Sequence, residues 1–516
     1  MSLSKPVPER GQERARLEPV VARLRHAPRK VVRMATRREF LRAAGVGVGC
    51  AGLGLGPGFD LGPEMVRFRP EIEPLVRWLE ETPRDRLVEG LLGRIRDGLS
   101  YREALAATFL AAIRNIKPRP VGFKFHAVMA VHSAHLIAQH ADRDAAWLPL
   151  FWAADHFKGS QARDVEEGDW TLAAVDESRV PGPNTARAEL IDALERWDET
   201  KADAATAGLV RAAGAAEVME VFWRYGLRDQ RNIGHKPIFT MQCWRTLQTI
   251  GWQHAEPVLR SLAFGLLDTQ GDGVQGPVGP YESNLERARS LQPGWQVGRT
   301  DESATRHLVA TIRDEGPDAV ADAVIAALRS GVSPDSLWDA VLLSASELLV
   351  RAPGIIALHA VTATNSLHYI YHASGDDLTR RLALLQAASW VPLYRRRIGD
   401  APSIRLDAPA ADEPSTLEEA LDAQSRNRAR AATLAIAPLE RLENREAYFA
   451  EARRRIILRG RDSHQYKYGA AAWEEAQMAV SRRAGAAIAA SMLAYLPAAD
   501  EPENPVIAAA RSGLRV

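Results

Sequence analysis

His359-Ala-Val-Thr-Ala-Thr-Asn-Ser-Leu-His368 reads almost in step with His126-Ala-Val-Met-Ala-Val-His-Ser-Ala-His135, far upstream in the same chain. Both stretches carry apolar residues at three- and four-residue steps, the spacing of a helix with a buried face rather than of a strand. Two more histidines stand in comparable settings, in Asn232-Ile-Gly-His235-Lys-Pro-Ile and Asp462-Ser-His464-Gln-Tyr. Nine residues after each comes another ring: His135, Trp244, His368 and Trp473. The key histidines are spaced 109, 124 and 105 residues apart.

The surroundings recur as well. An apolar helix is expected before each histidine, over Tyr101 to Ile116, Ala215 to Arg228, Pro334 to Val350 and Arg445 to Leu458. A short break with Pro or Gly follows (Lys117-Pro-Arg-Pro, Asn232-Ile-Gly, Ala352-Pro-Gly, Arg459-Gly-Arg), and the histidine then opens a new helix. A second apolar helix is expected over Ala146 to Phe157, Glu256 to Leu267, Thr379 to Tyr394 and Arg482 to Tyr495. No period-two strand is evident. The pattern predicts an all-α domain over residues 65–500, built from four related helical units of about 105–124 residues around a central cavity. The competing explanation is coincidence among helices in an Ala-rich chain. Gly159 to Ala186, Asp268 to Thr300 and Ala401 to Ser415 read as loops, and residues 501–516 as a Pro-rich, mostly disordered tail.

Composition narrows the classes. The 516 residues are 46 % hydrophobic and 25 % charged, an ordinary globular balance. Lys plus Arg number 66 against 65 Asp plus Glu, so no global charge attracts nucleic acid or anionic lipid. The only cysteines are Cys50 and Cys243, which excludes a disulfide scaffold and a Cys-based zinc finger. No phosphate loop, dinucleotide fingerprint, nucleophile elbow, His-Glu-x-x-His or Cys-x-x-Cys-His is found.

The N-terminal segment reads as an address. Thr36-Arg-Arg-Glu-Phe-Leu-Arg42, followed by a short, mildly apolar stretch from Ala43 to Leu55, resembles a twin-arginine export signal over residues 34–60. The stretch is too short to span a bilayer. The alternative is a basic amphipathic arm. Residues 1–33 read either as a disordered extension or as sequence upstream of a true start at Met34. The signal implies the Tat translocase as a transient partner, a periplasmic location and no membrane span beyond the segment itself.

Histidines at helix starts carry the chemistry. A helix N-terminus disfavours imidazolium, and neutral imidazole binds metals and accepts protons. Four such rings brought together, with few carboxylates, suit iron, copper or zinc. His126, His235, His359 and His464 are therefore the leading metal ligands, for an ion (iron first) or non-covalent haem. The ring nine residues on faces the opposite side of its helix, so His135, His368 and Trp244 read as secondary cofactor-binding candidates. His132 with His135, and His368 with His372, are same-face pairs that offer a rival ligand set. His132 and His254, the latter in Gly-Trp-Gln-His-Ala-Glu-Pro, are candidate catalytic bases. Lys158, Lys236 and Arg245 are candidates for orienting an anionic substrate. Trp147, Trp152, Trp223, Trp252 and Trp390 read as core, and His140 and His156 as solvated.

Leu358-His-Ala-Val-Thr-Ala-Thr-Asn-Ser-Leu-His with Leu384-Leu-Gln-Ala-Ala-Ser-Trp, and Ser463-His-Gln-Tyr-Lys-Tyr-Gly-Ala-Ala, resemble the questin oxidase-like family over residues 85–500 in layout. That family is associated with oxidative ring opening of polyketide anthraquinones. The resemblance implies an oxidoreductase acting on a small aromatic molecule. The alternative is a non-catalytic periplasmic protein that binds a small molecule in a Trp-lined cleft.

Overall fold

The computed structural model describes residues 65–119, 123–141, 145–271, 273–408 and 415–514, within a compact unit spanning Asp60–Val516. The expected export signal and the stretch before it lie outside these residues. The described chain is all-α, with no strand and only two isolated bridges, Met65 with Ala173 and Arg299 with Val332. Among the described residues no helix is long and apolar enough to cross a membrane.

The helices, in chain order, are α1 (Glu73–Glu81), α2 (Leu87–Arg96), α3 (Tyr101–Asn115), α4 (His126–Met129), α5 (Val131–Gln139), α6 (Leu148–Glu166), α7 (Ala186–Glu195) and α8 (Glu199–Ala212). Then come α9 (Ala215–Gly226), α10 (Arg231–Ile250), α11 (Ala255–Leu266), α12 (Tyr281–Ser290), α13 (Glu302–Asp314), α14 (Pro317–Arg329), α15 (Pro334–Arg351) and α16 (Ile355–Ala373). The chain closes with α17 (Asp377–Ile398), α18 (Leu417–Ala423), α19 (Arg428–Leu439), α20 (Leu442–Arg459), α21 (Ser463–Met478), α22 (Arg482–Ser491) and α23 (Pro505–Leu514).

Local chemistry sets the ends. Ser100 and Glu103 form a reciprocal capping box that opens α3. Pro317 and Pro334 open α14 and α15, where the missing N–H costs nothing. Helices α3, α15, α16 and α17 are buried along most of their length, as apolar residues on every face require. Four helices form the centre: α5 packs on α10, α10 on α16, α16 on α21, and α21 back on α5. Each of these helices, or in the first case the short α4 leading into α5, starts at or near one of the four histidines.

Two expectations change. The tail expected to be disordered contains α23, which buries Ile507 and Ala510 and packs on α2 and α6. Its Pro505 opens the helix instead of preventing one. The expected loops are also more helical. Gly159 falls inside α6, which runs on to Glu166 because Asp164 is fully buried, taking bonds from Lys124 Nζ and the Lys117 and Trp170 amides. α12 likewise interrupts the stretch from Asp268 to Thr300.

Candidate metal centre

Two of the four histidines are aimed by a backbone carbonyl just ahead of them, and a third by its capping side chain. His359 sits in the first turns of α16, and its Nδ1 donates to the Ile355 carbonyl at 2.7 Å. Before His235 the chain makes three left-handed residues in succession, Asn232 (φ 55°), Ile233 (φ 52°) and Gly234 (φ 80°). A β-branched residue in that region is strained, by about 1–3 kcal/mol. The turn brings the Asn232 carbonyl onto His235 Nδ1, while Tyr394 Oη donates to the Ile233 carbonyl at 2.9 Å. Pro237 then falls in the opening turn of the restarted helix, where it is tolerated. His464 is held by Asp462, the cap of α21, whose Oδ1 accepts from the His464 amide at 3.0 Å and from its Nδ1 at 2.8 Å. Tyr495 donates to the other carboxylate oxygen at 2.9 Å. His126 is the first residue of α4.

The rings converge in the interior. His126, His235, His359 and His464 are all buried. His235 Nε2 lies 3.4 Å from His126 Nε2 and 2.8 Å from His359 Nε2. One nitrogen from each of His126, His235 and His359 lies within 4.8 Å of the other two, a set able to hold a metal ion. The His464 ring adjoins the set, its centroid 4.6 Å from that of His126 and 5.1 Å from that of His359.

The tautomers follow from these bonds. A carbonyl only accepts, so Nδ1 of both His235 and His359 carries the proton. In the neutral rings, each Nε2 then presents a lone pair. Two lone pairs at 2.8 Å repel unless something positive lies between them. Protonating a ring is disfavoured. Burial, followed by neighbouring Lys467 and His464, holds the pKa of His235 well below its ordinary value, against the pull of the Asn232 carbonyl. His126 and His359 are likewise held well below theirs, by burial first and then by Lys467 and the other imidazoles. Burial also lowers His464, against the pull of Asp462. Burial works against the Asp462 carboxylate, yet the bonds from His464 and Tyr495 hold it below the usual range. Lys467 is itself buried, with its Nζ unpartnered, and burial pushes it down to about 7.

Neutral, converging imidazoles, with the far nitrogens of His235, His359 and His464 anchored, are the arrangement of a first-row transition-metal site. An all-nitrogen set does not suit magnesium or calcium, which want oxygen. Haem does not fit between these rings. A haem held by two of these rings would need its whole macrocycle between their nitrogens. Here Nε2 atoms are 2.8 and 3.4 Å apart and ring centroids as close as 4.3 Å.

The remaining candidates lie elsewhere. His135 bonds Tyr101 Oη at 3.2 Å and the Gln139 amide at 2.9 Å, and burial lowers it to about 4. His132 is buried with both ring nitrogens unpartnered, its pKa lowered by burial, then by Arg245 and His135. Trp244 packs edge-on against Trp223 and Trp252, as core. His368 bonds Glu475 and His372. His254 follows the far end of α10, separated from His235 by about 22 Å of helix, and lines a different polar cleft with Arg69, Glu71 and Arg102. It is therefore no base for the centre. The three cations expected to orient an anion are engaged in the fold. Lys158 bonds the Leu79 and Glu80 carbonyls and Gln161, Lys236 bonds Asp229 and the Asp268 carbonyl, and Arg245 pairs with Glu474. His156, expected to be solvated, is half-buried and stacked on Trp152.

Asp462 and Lys467 were missed by the sequence reading. Both had a signal there: Asp462 precedes Gln465 by three residues as a capping box, and Lys467 lies three after His464 on the same face. No family model, curated protein or solved structure matches this chain, so the purpose of the centre rests on its own geometry and chemistry.

Proposed function

We propose that the protein is an exported oxidoreductase with one histidine-ligated iron, acting on a small aromatic molecule. The observation that carries this is the pair of Nε2 atoms of His235 and His359, 2.8 Å apart, both with Nδ1 donated to a carbonyl. A cation bound by both lone pairs resolves the repulsion. With metal–nitrogen bonds of about 2.1 Å, ligand nitrogens at right angles stand about 3.0 Å apart and tetrahedral ones about 3.4 Å. The 2.8 Å separation lies near the right-angle value and the 3.4 Å one at the tetrahedral value, so the distances admit iron, copper or zinc, and iron is chosen for the oxidative chemistry that the questin oxidase-like stretches suggest.

In this reading four helical units contribute one imidazole each, with His464 as the fourth. Bound iron supplies one-electron and oxygen chemistry. The chain's own residues keep bulk water away, hold the rings neutral and fix their direction. Asp462 orients His464, and the buried Lys467 adds to the pressure that keeps the rings neutral. Export is supported by the twin-arginine motif, and the aromatic substrate by the questin oxidase-like stretches.

Oxygen uptake by the iron-loaded chain with a hydroxyanthraquinone tests the activity. Substrate-dependent uptake, abolished in His235→Ala/His359→Ala, is expected. Bound iron without uptake on any aromatic offered would leave a binding protein.

A further inference from the structure

A second site lies along the same helices, away from the centre. His372 is thirteen residues beyond His359 on α16, about 20 Å along the helix axis. There, α16 and α21 border a cleft of about 350 Å³ lined by Asn365, Tyr369, His372, Trp473, Glu474 and Met478, among others. Behind it runs a chain of bonds from interior to surface. Asn365 donates to Glu475 Oε1 at 2.7 Å, and Glu475 Oε2 accepts from His368 Nδ1 at 2.7 Å. His368 Nε2 then meets His372 Nε2 at 3.0 Å. Glu475 and His368 are buried, and Trp338 stacks on the His368 ring at 4.4 Å. His372 is exposed.

The proton positions are again forced. The carboxylate accepts from His368 Nδ1–H, which leaves a lone pair on His368 Nε2. His372 must therefore donate from Nε2, and its Nδ1 keeps an accepting lone pair. A carboxylate behind two imidazoles in series is the arrangement of a general base, since the carboxylate stabilises the charge that appears when the outer ring takes a proton.

We propose that this cleft binds a planar aromatic molecule bearing an acidic hydroxyl, and that the Glu475–His368–His372 relay takes the hydroxyl proton. The hydroxyl O–H breaks, its electron pair stays on oxygen, and a new N–H forms at His372 Nδ1. Nothing is oxidised or reduced. Tyr369 and Trp473 both line the cleft and offer it aromatic surface. Each is supported by a neighbour, the Arg245 guanidinium 5.0 Å over Tyr369 and the His140 ring 4.6 Å from Trp473. Stacking between rings favours a flat ligand. A cationic ligand is disfavoured because both nearby carboxylates are already engaged, Glu474 with Arg245 and Glu475 with Asn365 and His368. The charged and titratable groups acting on His372 are His368 on its own helix, Glu475 from α21, Asp335 from α15 and Arg380 from α17. Burial, followed by His368, holds His372 down to about 4, so a bound phenolate must supply the partner that keeps imidazolium.

The probe is 4-nitrophenol, whose absorbance reports its own ionisation. Added to the full chain, it should bind saturably, with its ionisation midpoint shifted down by about one pH unit. Trp473→Ala should weaken binding at least about tenfold. His372→Gln should abolish the shift and so weaken phenolate binding about tenfold, with binding of the neutral phenol, measured below its ionisation midpoint, changed less, and Glu475→Gln should reduce the shift. Saturable binding that ignores Trp473→Ala, a shift that survives His372→Gln, or displacement of the dye by tetramethylammonium would overturn the proposal. Metal content measured alongside separates this site from the histidine centre. His372→Gln should leave it unchanged, and His126→Ala should lose metal while still shifting the dye.

Discussion

Asp462 shows how one side chain serves two purposes. Its carboxylate caps α21 and fixes the tautomer of His464, with Nδ1 protonated and Nε2 available. Asp462→Asn can still cap, because the amide oxygen accepts as well as a carboxylate does. It loses the charge that makes the imidazole a better donor. Helix stability should therefore stay within about 0.5 kcal/mol, while metal affinity falls about 10- to 100-fold, read by competition with a chelator. The four rings also make stability depend on pH. Their folded pKa values lie below 6.5 while the unfolded chain titrates at its ordinary value, so the unfolded state gains protons that the folded state refuses. Stability is fully present above about pH 6.5 and falls as the pH drops from there toward the folded values, with each ring adding up to about 1.4 kcal/mol per pH unit. Denaturation midpoints of the metal-free chain at pH 7 and pH 5.5 should show this fall, and it should be shallower in His235→Asn/His359→Asn.

At the scale of elements, the turn Asn232-Ile233-Gly234 is the most exacting piece of backbone near the centre. Gly234 has φ 80°, and a Cβ there would lie 2.5 Å from Tyr394 Oη and 2.7 Å from Ala363 Cβ. Gly234→Ala should cost about 2–4 kcal/mol and displace His235 enough to lose the metal, seen as a lower denaturation midpoint together with lower metal content. The existence of a break here was legible from Gly and Pro. Its left-handed path through Ile233 was not, because that residue adopts the conformation against its own preference and is held there by Tyr394 from α17. The same limit explains the other differences. The helices around the histidines were readable from apolar spacing, whereas α23 was hidden by Pro502 just ahead of it and by Pro505 at its start. The roles of Lys158, Lys236 and Arg245 depend on partners that approach from remote segments. The relay from Glu475 was invisible for the same reason, since it joins residues more than a hundred positions apart.

Across the whole molecule, four helices close a ring whose starts place four imidazoles in one buried spot. An interior built this way is expensive without an occupant. It desolvates several polar rings and faces lone pair to lone pair at 2.8 Å. Such a core is sensible if the fold's stability is completed by an ion, so metal content should follow the two rings whose Nε2 atoms face each other. The most direct check is elemental analysis of the purified full chain beside its His235→Ala/His359→Ala variant, with helical circular dichroism recorded on both. The prediction is about one transition-metal ion per chain, absent from the variant while its helix content is kept. A folded, natively purified chain with no metal, or a variant that keeps its full complement, would contradict the proposal.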